Sequence, residues 1–338
     1  MRSGDATDRP TPTPLHGTAR LYRVDVIVVA GEALVDLVAE DDGRFRAVPG
    51  GSPANVAVGL ARLGVRTHML ARLGTGRFGR IIREHLSRNG VGLDLAVDSS
   101  EPATLAVVSL DADGRAAYDF YVDGTADWGW SPAELPASLP AETIAFCTGS
   151  LAVSLEPGAT VITDLMRRTA AAGVSVVLDP NLRPALLGER AAARRRLEAQ
   201  VVVADVVKVS DEDLAWVAPE ENPADVAAQW LDLGPKLVVL TRGADGASAR
   251  TLDGARVDVA AYHIDVVDTV GAGDAFTAGL VDGLRRYDLL GGEARDRLGR
   301  CTDATLQAVV ERATLVAGLT CARRGADPPT AAEVAAVS

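Results

Sequence analysis

Asp268-Thr269-Val270-Gly271-Ala272-Gly273-Asp274-Ala275-Phe276 is the stretch on which the reading of this chain turns. An apolar, β-branched run over residues 264–267 leads into it, and Phe276, Leu280 and Leu284 follow at helical spacing. The pattern is that of a strand or loop, a tight glycine turn and a helix. A helix start leaves about four N–H groups unpaired and carries roughly half a positive charge. Glycines there let an anion approach those N–H groups with no Cβ in the way. An Asp opening the helix places a carboxylate beside the same spot. Phosphoryl transfer needs fixed donors around the moving group and an acceptor for the attacking hydroxyl's proton. Gly271, Ala272 and Gly273 offer the donors, and Asp274 offers the acceptor. The same residues also suit an ordinary N-capped turn, so this stretch alone leaves both readings open.

Size and composition narrow the field. A chain of 338 residues, 48% apolar, can build one large α/β domain or two small ones. A formal net charge of −12 argues against nucleic acid or an anionic membrane as the main partner. A nucleotide bound to such a protein calls for local positive groups, a metal or helix ends. The three cysteines, Cys147, Cys301 and Cys321, are too few and too scattered for a disulfide framework or a zinc site. A reducing cytoplasmic setting fits. No run approaches 18 apolar residues, so no membrane span is expected. Residues 1–21 are rich in Pro, Thr, Asp and Gly and lack the apolar centre of a signal peptide, so they read as a disordered extension.

Residues 24–30 then form a buried, parallel-type strand that runs into Gly31-Glu32-Ala33-Leu34-Val35-Asp36. Ligands of open α/β sheets gather at the carboxyl ends of strands. Asp36 therefore falls where a carboxylate can accept hydrogen bonds from vicinal sugar hydroxyls, or where a loop acid is simply solvated. Residues 41–48 suggest a short hairpin. In Pro49-Gly50-Gly51-Ser52-Pro53-Ala54-Asn55-Val56-Ala57, Pro53 suits the first turn of a helix whose apolar face is Val56, Leu60 and Leu63 and whose stop is Gly64. Gly50 and Gly51 permit close approach of a ligand, and Asn55 carries both a donor and an acceptor.

Residues 103–122 read as two strands turning at Asp113-Gly114. With 41–48 they would make a small antiparallel lid. The aromatic group Tyr118, Phe120, Tyr121, Trp128 and Trp130 suits packing, a dimer contact or a ligand pocket. Beyond residue 141 strands and helices alternate, with strands at 144–148, 174–179, 201–209, 237–241 and 246–250 and helices near 158–172, 185–199, 211–218 and 223–233. Such alternation implies a parallel sheet covered on both faces. Polar residues cluster at its strand ends: Asp179 and Asn181, Lys208 and Ser210, Thr241 and Arg242. Gly74-Thr75-Gly76-Arg77-Phe78-Gly79 matches a dinucleotide fingerprint literally, which raises a nicotinamide oxidoreductase as a rival, but no ribose-binding acid stands at a clear strand end about 20 residues on.

Together these pieces resemble the ribokinase-like (PfkB) carbohydrate kinase family over roughly residues 24–330. The N-terminal Gly50-Gly51-Ser52-Pro53-Ala54-Asn55-Val56-Ala57 and the C-terminal Asp268-Thr269-Val270-Gly271-Ala272-Gly273-Asp274 carry the likeness, in order and about 220 residues apart. Gly31-Glu32-Ala33-Leu34-Val35-Asp36, Asp179-Pro180-Asn181-Leu182-Arg183-Pro184 and Lys208-Val209-Ser210 are most similar to the fructokinase versions. The resemblance implies a three-layer α/β/α domain over residues 22–332, with a mostly parallel sheet and a β lid drawn from about 37–48 and 101–124, through which two chains would pair.

It also implies an ATP-dependent sugar kinase acting on D-fructose. Relatives acting on 2-keto-3-deoxygluconate, ribose or nucleosides share the scaffold, as would a non-catalytic sugar sensor. By position, Asp274 would be the base, and Gly271, Ala272 and Gly273 the anion hole. Asp36, Gly50, Gly51, Asn55 and Arg183 would hold the sugar, and Lys208, Thr241, Gly243 and Gly246 would line ATP. Asp268 would sit near a monovalent cation such as K⁺. Mg²⁺ would arrive with ATP, with Asp213 near its water shell. The chain departs from the family pattern at Ser210-Asp211-Glu212-Asp213, where the relatives often carry Asn-x-x-Glu. It departs again at Gly74-Thr75-Gly76, where acidic residues are common, and at Pro328-Pro329, beside a second cation-binding segment.

Overall fold

A computed structural model describes residues 25–40, 42–110 and 116–337. The expected extension over 1–21 and the turn at 111–114 lie outside them. The chain opens with β1 (Val26–Ala30), β2 (Leu34–Ala39), β3 (Phe45–Gly50), α1 (Ser52–Arg62), β4 (Arg66–Leu70), β5 (Arg72–Gly74), α2 (Arg77–Arg88), β6 (Val97–Ser99), β7 (Leu105–Leu110) and β8 (Ala116–Tyr121). The regular part follows as β9 (Thr143–Gly149), α3 (Gly158–Ala171), β10 (Ser175–Asp179), α4 (Arg190–Val201), β11 (Val206–Ser210), α5 (Asp211–Val217), α6 (Pro223–Trp230) and β12 (Leu237–Thr241). Then come β13 (Ala247–Thr251), β14 (Arg256–Val259), α7 (Ala272–Arg286), α8 (Arg295–Gly299), α9 (Asp303–Cys321) and α10 (Ala331–Ala335).

The main sheet runs β14-β13-β12-β11-β10-β9-β1-β4 and is parallel from β12 to β4. Its strands are apolar on both sides because both faces are covered. Ile27, Val29, Ala145, Cys147, Val177 and Val239 pack against α1, α7 and α9. Their neighbours Val28, Phe146, Val176, Leu178, Val207 and Val238 pack against α3, α4 and α6. This is the expected three-layer α/β/α arrangement, with the period-2 alternation of a strand supplying one core on each side.

Several local expectations are corrected. The run 67–73 divides between β4 in the main sheet and β5, which pairs only with β6. Residues 246–250 do not extend the parallel series, because β13 folds back antiparallel on β12 and β14 on β13. Residues 264–267 form no strand; Val266 and Val267 are exposed. The hairpin expected within 41–48 is instead a longer pairing of β2 with β3, Leu34 opposite Gly50. The lid is a four-stranded sheet, β3-β2-β7-β8, and it is not wholly antiparallel, since β2 and β7 run parallel. Asp36 thus belongs to a lid strand rather than a loop. Trp128 and Trp130 are core residues, and Trp128 packs with Leu34, Ala106 and Leu151.

Candidate active site

The carboxyl ends of β9, β10 and β11 open on the same edge as the amino end of α7, the place where open α/β sheets bind ligands. Two glycine turns, remote in sequence, meet here at one carboxylate. Ser52 Oγ donates to Asp274 Oδ1 at 2.7 Å, and Asn55 Nδ2 donates to Oδ2 at 2.8 Å. Asn181, just beyond β10, donates to Ser52 Oγ at 2.8 Å and to Asp274 at 3.4 Å. Arg183 in turn donates to Asn181 Oδ1 at 2.6 Å and so orients its amide.

Each turn needs its glycines for a stated reason. Gly51 has φ +101°, and a Cβ there would come 2.8 Å from the Glu32 carbonyl oxygen. A Cβ on Gly50 would come 2.3 Å from Asp36 Oδ2, so the lid carboxylate rests directly against that backbone. Gly271 is left-handed (φ +77°) and starts α7; its missing Cβ leaves room for Ala326. Among the described residues, the N–H groups of Gly271, Gly273 and Asp274 have no hydrogen-bond acceptor. They form a donor array at a helix start, fit for an anion.

A second tier supports the first from below. The Lys208 ammonium, 3% exposed, sits 3.1 Å and 3.3 Å from the Asp179 carboxylate oxygens. Thr277 donates to Asp179 at 2.7 Å. A Cβ on Gly273 would come 3.3 Å from Lys208 Nζ, so the ammonium lies under the glycine turn rather than along its open side. Asp213 is also buried, and its carboxylate accepts the Leu182 N–H at 2.9 Å.

Burial sets the acid strengths. It pushes Asp36 up to about 6, with Arg183 opposing and the charge of Asp274 adding. It raises Asp274 as well, against the lowering effect of the Ser52 and Asn55 hydrogen bonds, with Asp179 adding. A base raised toward the working pH is better matched to taking a proton. Burial would lower Lys208, yet the nearby charges of Asp179 and Asp213 and the Asp179 hydrogen bond outweigh it and raise its pKa.

The comparisons agree with this geometry. The model of the pfkB family carbohydrate kinases matches residues 25–332. The chain belongs to the pfkB family of carbohydrate kinases. It is 36% identical to a fructokinase of Rhizobium leguminosarum bv. trifolii over 78% of this chain and 81% of the relative. A Xylella fastidiosa fructokinase structure with bound ATP superposes with a TM-score of 0.85 at 29% identity, covering 94% of this chain and 98% of that one. A double mutant of a fructokinase from Vibrio cholerae O395, in a fructose-, ADP- and potassium-bound form, gives 0.80 at 27% identity, covering 93% and 98%.

In this pfkB chain the remaining expected residues fall in two groups. Thr241, Gly243 and Gly246 lie at the β12–β13 hairpin; Gly243 has φ +52° and open space, while Gly246 has φ +83° and packs on the Val259 carbonyl. Asp268 accepts the Val270 N–H at 3.1 Å and the Gly325 N–H at 2.8 Å, which ties the loop before α7 to the segment after α9. Residues 74–79 pack strand on helix, since a Cβ on Gly79 would fall 1.6 Å from the Gly74 carbonyl oxygen. No three His, Cys, Asp or Glu side chains cluster to hold a metal among the described residues, and no described helix is long and apolar enough to cross a membrane. A cavity of about 480 Å³ opens at the opposite edge, between Thr143, Arg168 and Arg297, and touches none of these residues. Sequence reasoning assigned no role to Ser52, Asp179, Asn181 or Thr277. Ser52 stood inside the quoted motif, and Asp179 and Asn181 stood in a strand-end polar cluster, but their partners are about 90 to 220 residues away.

Proposed function

We propose that this sugar kinase transfers the γ-phosphoryl group of MgATP to the primary hydroxyl of D-fructose, giving fructose 6-phosphate and ADP. The observation that carries the reading is the junction of Asp274 with Ser52 and Asn55 beneath an open array of helix-start N–H groups. It places a base, hydroxyl-binding groups and an anion site within one cleft. The names of the relatives, fructokinases among them, support fructose as the acceptor.

The sugar lies between Asp36, Gly50, Gly51 and Asn55, with Arg183 at its border and its primary hydroxyl turned to Asp274. The hydroxyl oxygen forms the new bond to phosphorus as the bond to the bridging oxygen of ADP breaks, and the hydroxyl proton passes to the Asp274 carboxylate. An Asp of ordinary pKa near 4 cannot deprotonate an alcohol in advance. In a loose transition state it need not, because the hydroxyl becomes acidic only as its bond to phosphorus forms. The N–H groups of Gly271, Gly273 and Asp274 receive the charge on the moving group, and Lys208 adds its field from below. Thr241, Gly243 and Gly246 border the nucleotide. Magnesium, bound mainly through ATP and water, neutralises phosphate charge. Asp213 can reach that water only with the oxygen left free by Leu182. Asp268 and the Gly325 segment would border a potassium ion.

Two features bear on the acceptor. A nucleoside would want an exposed aromatic face, and Trp128 and Trp130 are both buried. A sugar acid would want spare cations, whereas Arg183 is spent on Asn181 and nearby carbonyls. The test is phosphorylation of fructose, ribose, 2-keto-3-deoxygluconate and adenosine side by side, with kcat/KM for fructose expected to be highest. Asp274→Asn should cut kcat by about 10²–10⁴ while both KM values stay within a few-fold. Full activity in that variant would refute the role. The exposed lid residues Phe45 and Tyr121 support pairing of two lids, and sedimentation at twice the 35.1 kDa chain mass would bear out a dimer.

A further inference from the structure

The lid joins the core at two crossings, Ala33 before β2 and Thr104 before β7, and one side chain holds both. Asp127 Oδ1 accepts the Ala33 N–H at 3.0 Å, and Oδ2 accepts the Thr104 N–H at 3.3 Å. The Thr104 hydroxyl also bonds to this carboxylate and lies 2.6 Å from Thr125 Oγ1. Asp127 is 1% exposed.

The segment that carries Asp127 is fixed to the core, not to the lid alone. Arg72, a buried residue of β5, donates to the Ala126 carbonyl at 2.7 Å and is itself held by Glu134 at 2.9 Å. A Cβ on Gly129 would come 2.5 Å from Arg72 Nη1, so the guanidinium fills the space under the turn. Trp130 belongs to the core on the α3 side of the sheet. On the other side of the same crossing, Glu32 accepts the Ala152 N–H at 3.2 Å. The crossing is thus gripped from a bed that cannot shift with the lid. Asp36 follows Ala33 by three residues, about 10 Å along a strand.

We propose that Asp127 is a positioning residue that sets where the lid presents Asp36 to the sugar. This rests on Asp36 being a sugar ligand, as put forward above. Only a carboxylate answers two converging N–H donors, because an amide offers one oxygen and would turn its own donors on the second N–H. A buried N–H left unpaired moves toward water, and the strand attached to it moves too.

The test compares Asp127→Asn, Thr104→Val, Thr104→Ser and Asp36→Asn, and the double variant Asp36→Asn/Asp127→Asn. Each is assayed for fructose KM, ATP KM, kcat and thermal midpoint. Asp127→Asn should raise fructose KM about tenfold, with kcat and ATP KM within about twofold. Thr104→Val loses only the hydroxyl bond and should shift fructose KM less in the same direction, while Thr104→Ser restores it. The double variant should bind fructose no worse than Asp36→Asn alone, since one residue acts through the other. Unchanged fructose KM in Asp127→Asn, with Asp36→Asn impaired, overturns the positioning role and leaves the sugar site standing. Unchanged fructose KM in Asp36→Asn overturns the sugar-site reading and the positioning role with it. A fall in kcat and a rise in both KM values, in step with lost thermal stability, reduces Asp127 to a structural support. Should Asp127→Asn fail to fold, Thr104→Val decides alone, and no rise in fructose KM there sinks the proposal.

Discussion

Asp36 and Asp274 share a cleft, and each raises the difficulty of ionising the other. Asp36 answers to pH first in the range an assay can reach, because burial holds it at about 6 rather than near 4. As an ionised carboxylate it accepts from two hydroxyls; once protonated it accepts less well and offers a donor instead. The sign follows directly. Above about 6 the sugar-binding form prevails in the free protein, and below it each pH unit removes about tenfold of that form. Fructose kcat/KM should therefore fall on the acid side of that value, while kcat at saturating sugar falls less. Asp36→Asn should give a low, flatter profile. A variant that kept the full wild-type slope would place the titrating group elsewhere, with Asp274 the first suspect. The chain showed that Asp36 and Asp274 were candidates, because both flank glycine turns. It could not show that Ser52, Asn55 and Asn181 converge on one of them, since those contacts depend on how α1, β10 and α7 pack.

Among the elements, legibility followed periodicity. The helices at Ser52–Arg62, Ala272–Arg286 and Asp303–Cys321 carry apolar residues at helical spacing and appear where expected. The elements that were misread lack such a marker. No turn residue separates β4 from β5, so a single apolar run serves two sheets. The β12–β13 reversal did carry a signal, Asp245-Gly246, of the kind taken for a hairpin at 113–114, but the surrounding parallel alternation overrode it. The start of α7 supplies a prediction at this scale. Gly271→Ala asks a left-handed residue to carry a Cβ, at about 1–2 kcal/mol. It also drives that Cβ to 2.5 Å from the Ala326 side chain, which backs the segment bonded to Asp268. The turn must move, and its N–H groups with it. We expect ATP KM to rise and kcat to fall, with fructose affinity changed little in equilibrium titration, because Ser52, Asn55 and Asp36 stand on other elements. An unaltered ATP KM and kcat would show that the turn tolerates displacement and is no anion hole.

For the whole molecule, the site and its hinge impose a dependence of stability on pH. Five buried or half-buried acids, Glu32, Asp36, Asp127, Asp213 and Asp274, have pKa values raised in the fold, chiefly by burial. Between the unfolded and folded pKa values the native state binds more protons, so stability is present at low pH and is lost as pH rises through the folded values. Glu32 is the largest printed case, raised from 4.5 to about 7 with only 1% exposure. That rise corresponds to about 3 kcal/mol once pH exceeds 7, at 1.36 kcal/mol for each pH unit. His85 works against this in the upper part of the same window, since burial lowers its pKa and the fold resists charging it. Asp282 acts below the window: burial alone would raise it, but its hydrogen bonds and pairing with Arg286, Arg312 and Arg285 outweigh that and lower it, so its contribution is lost in strong acid. With five acids opposed by one imidazole, the ligand-free protein should unfold more readily at pH 8 than at pH 5.5. Urea titrations at the two values measure this directly. Glu32→Gln should shrink the difference by an amount of the order just given, although its amide also disturbs the bond to Ala152, so the comparison is of slopes rather than of absolute stability. Equal slopes in the two proteins would mean that Glu32 stays ionised in the fold at little cost, and that water reaches the lid crossing after all.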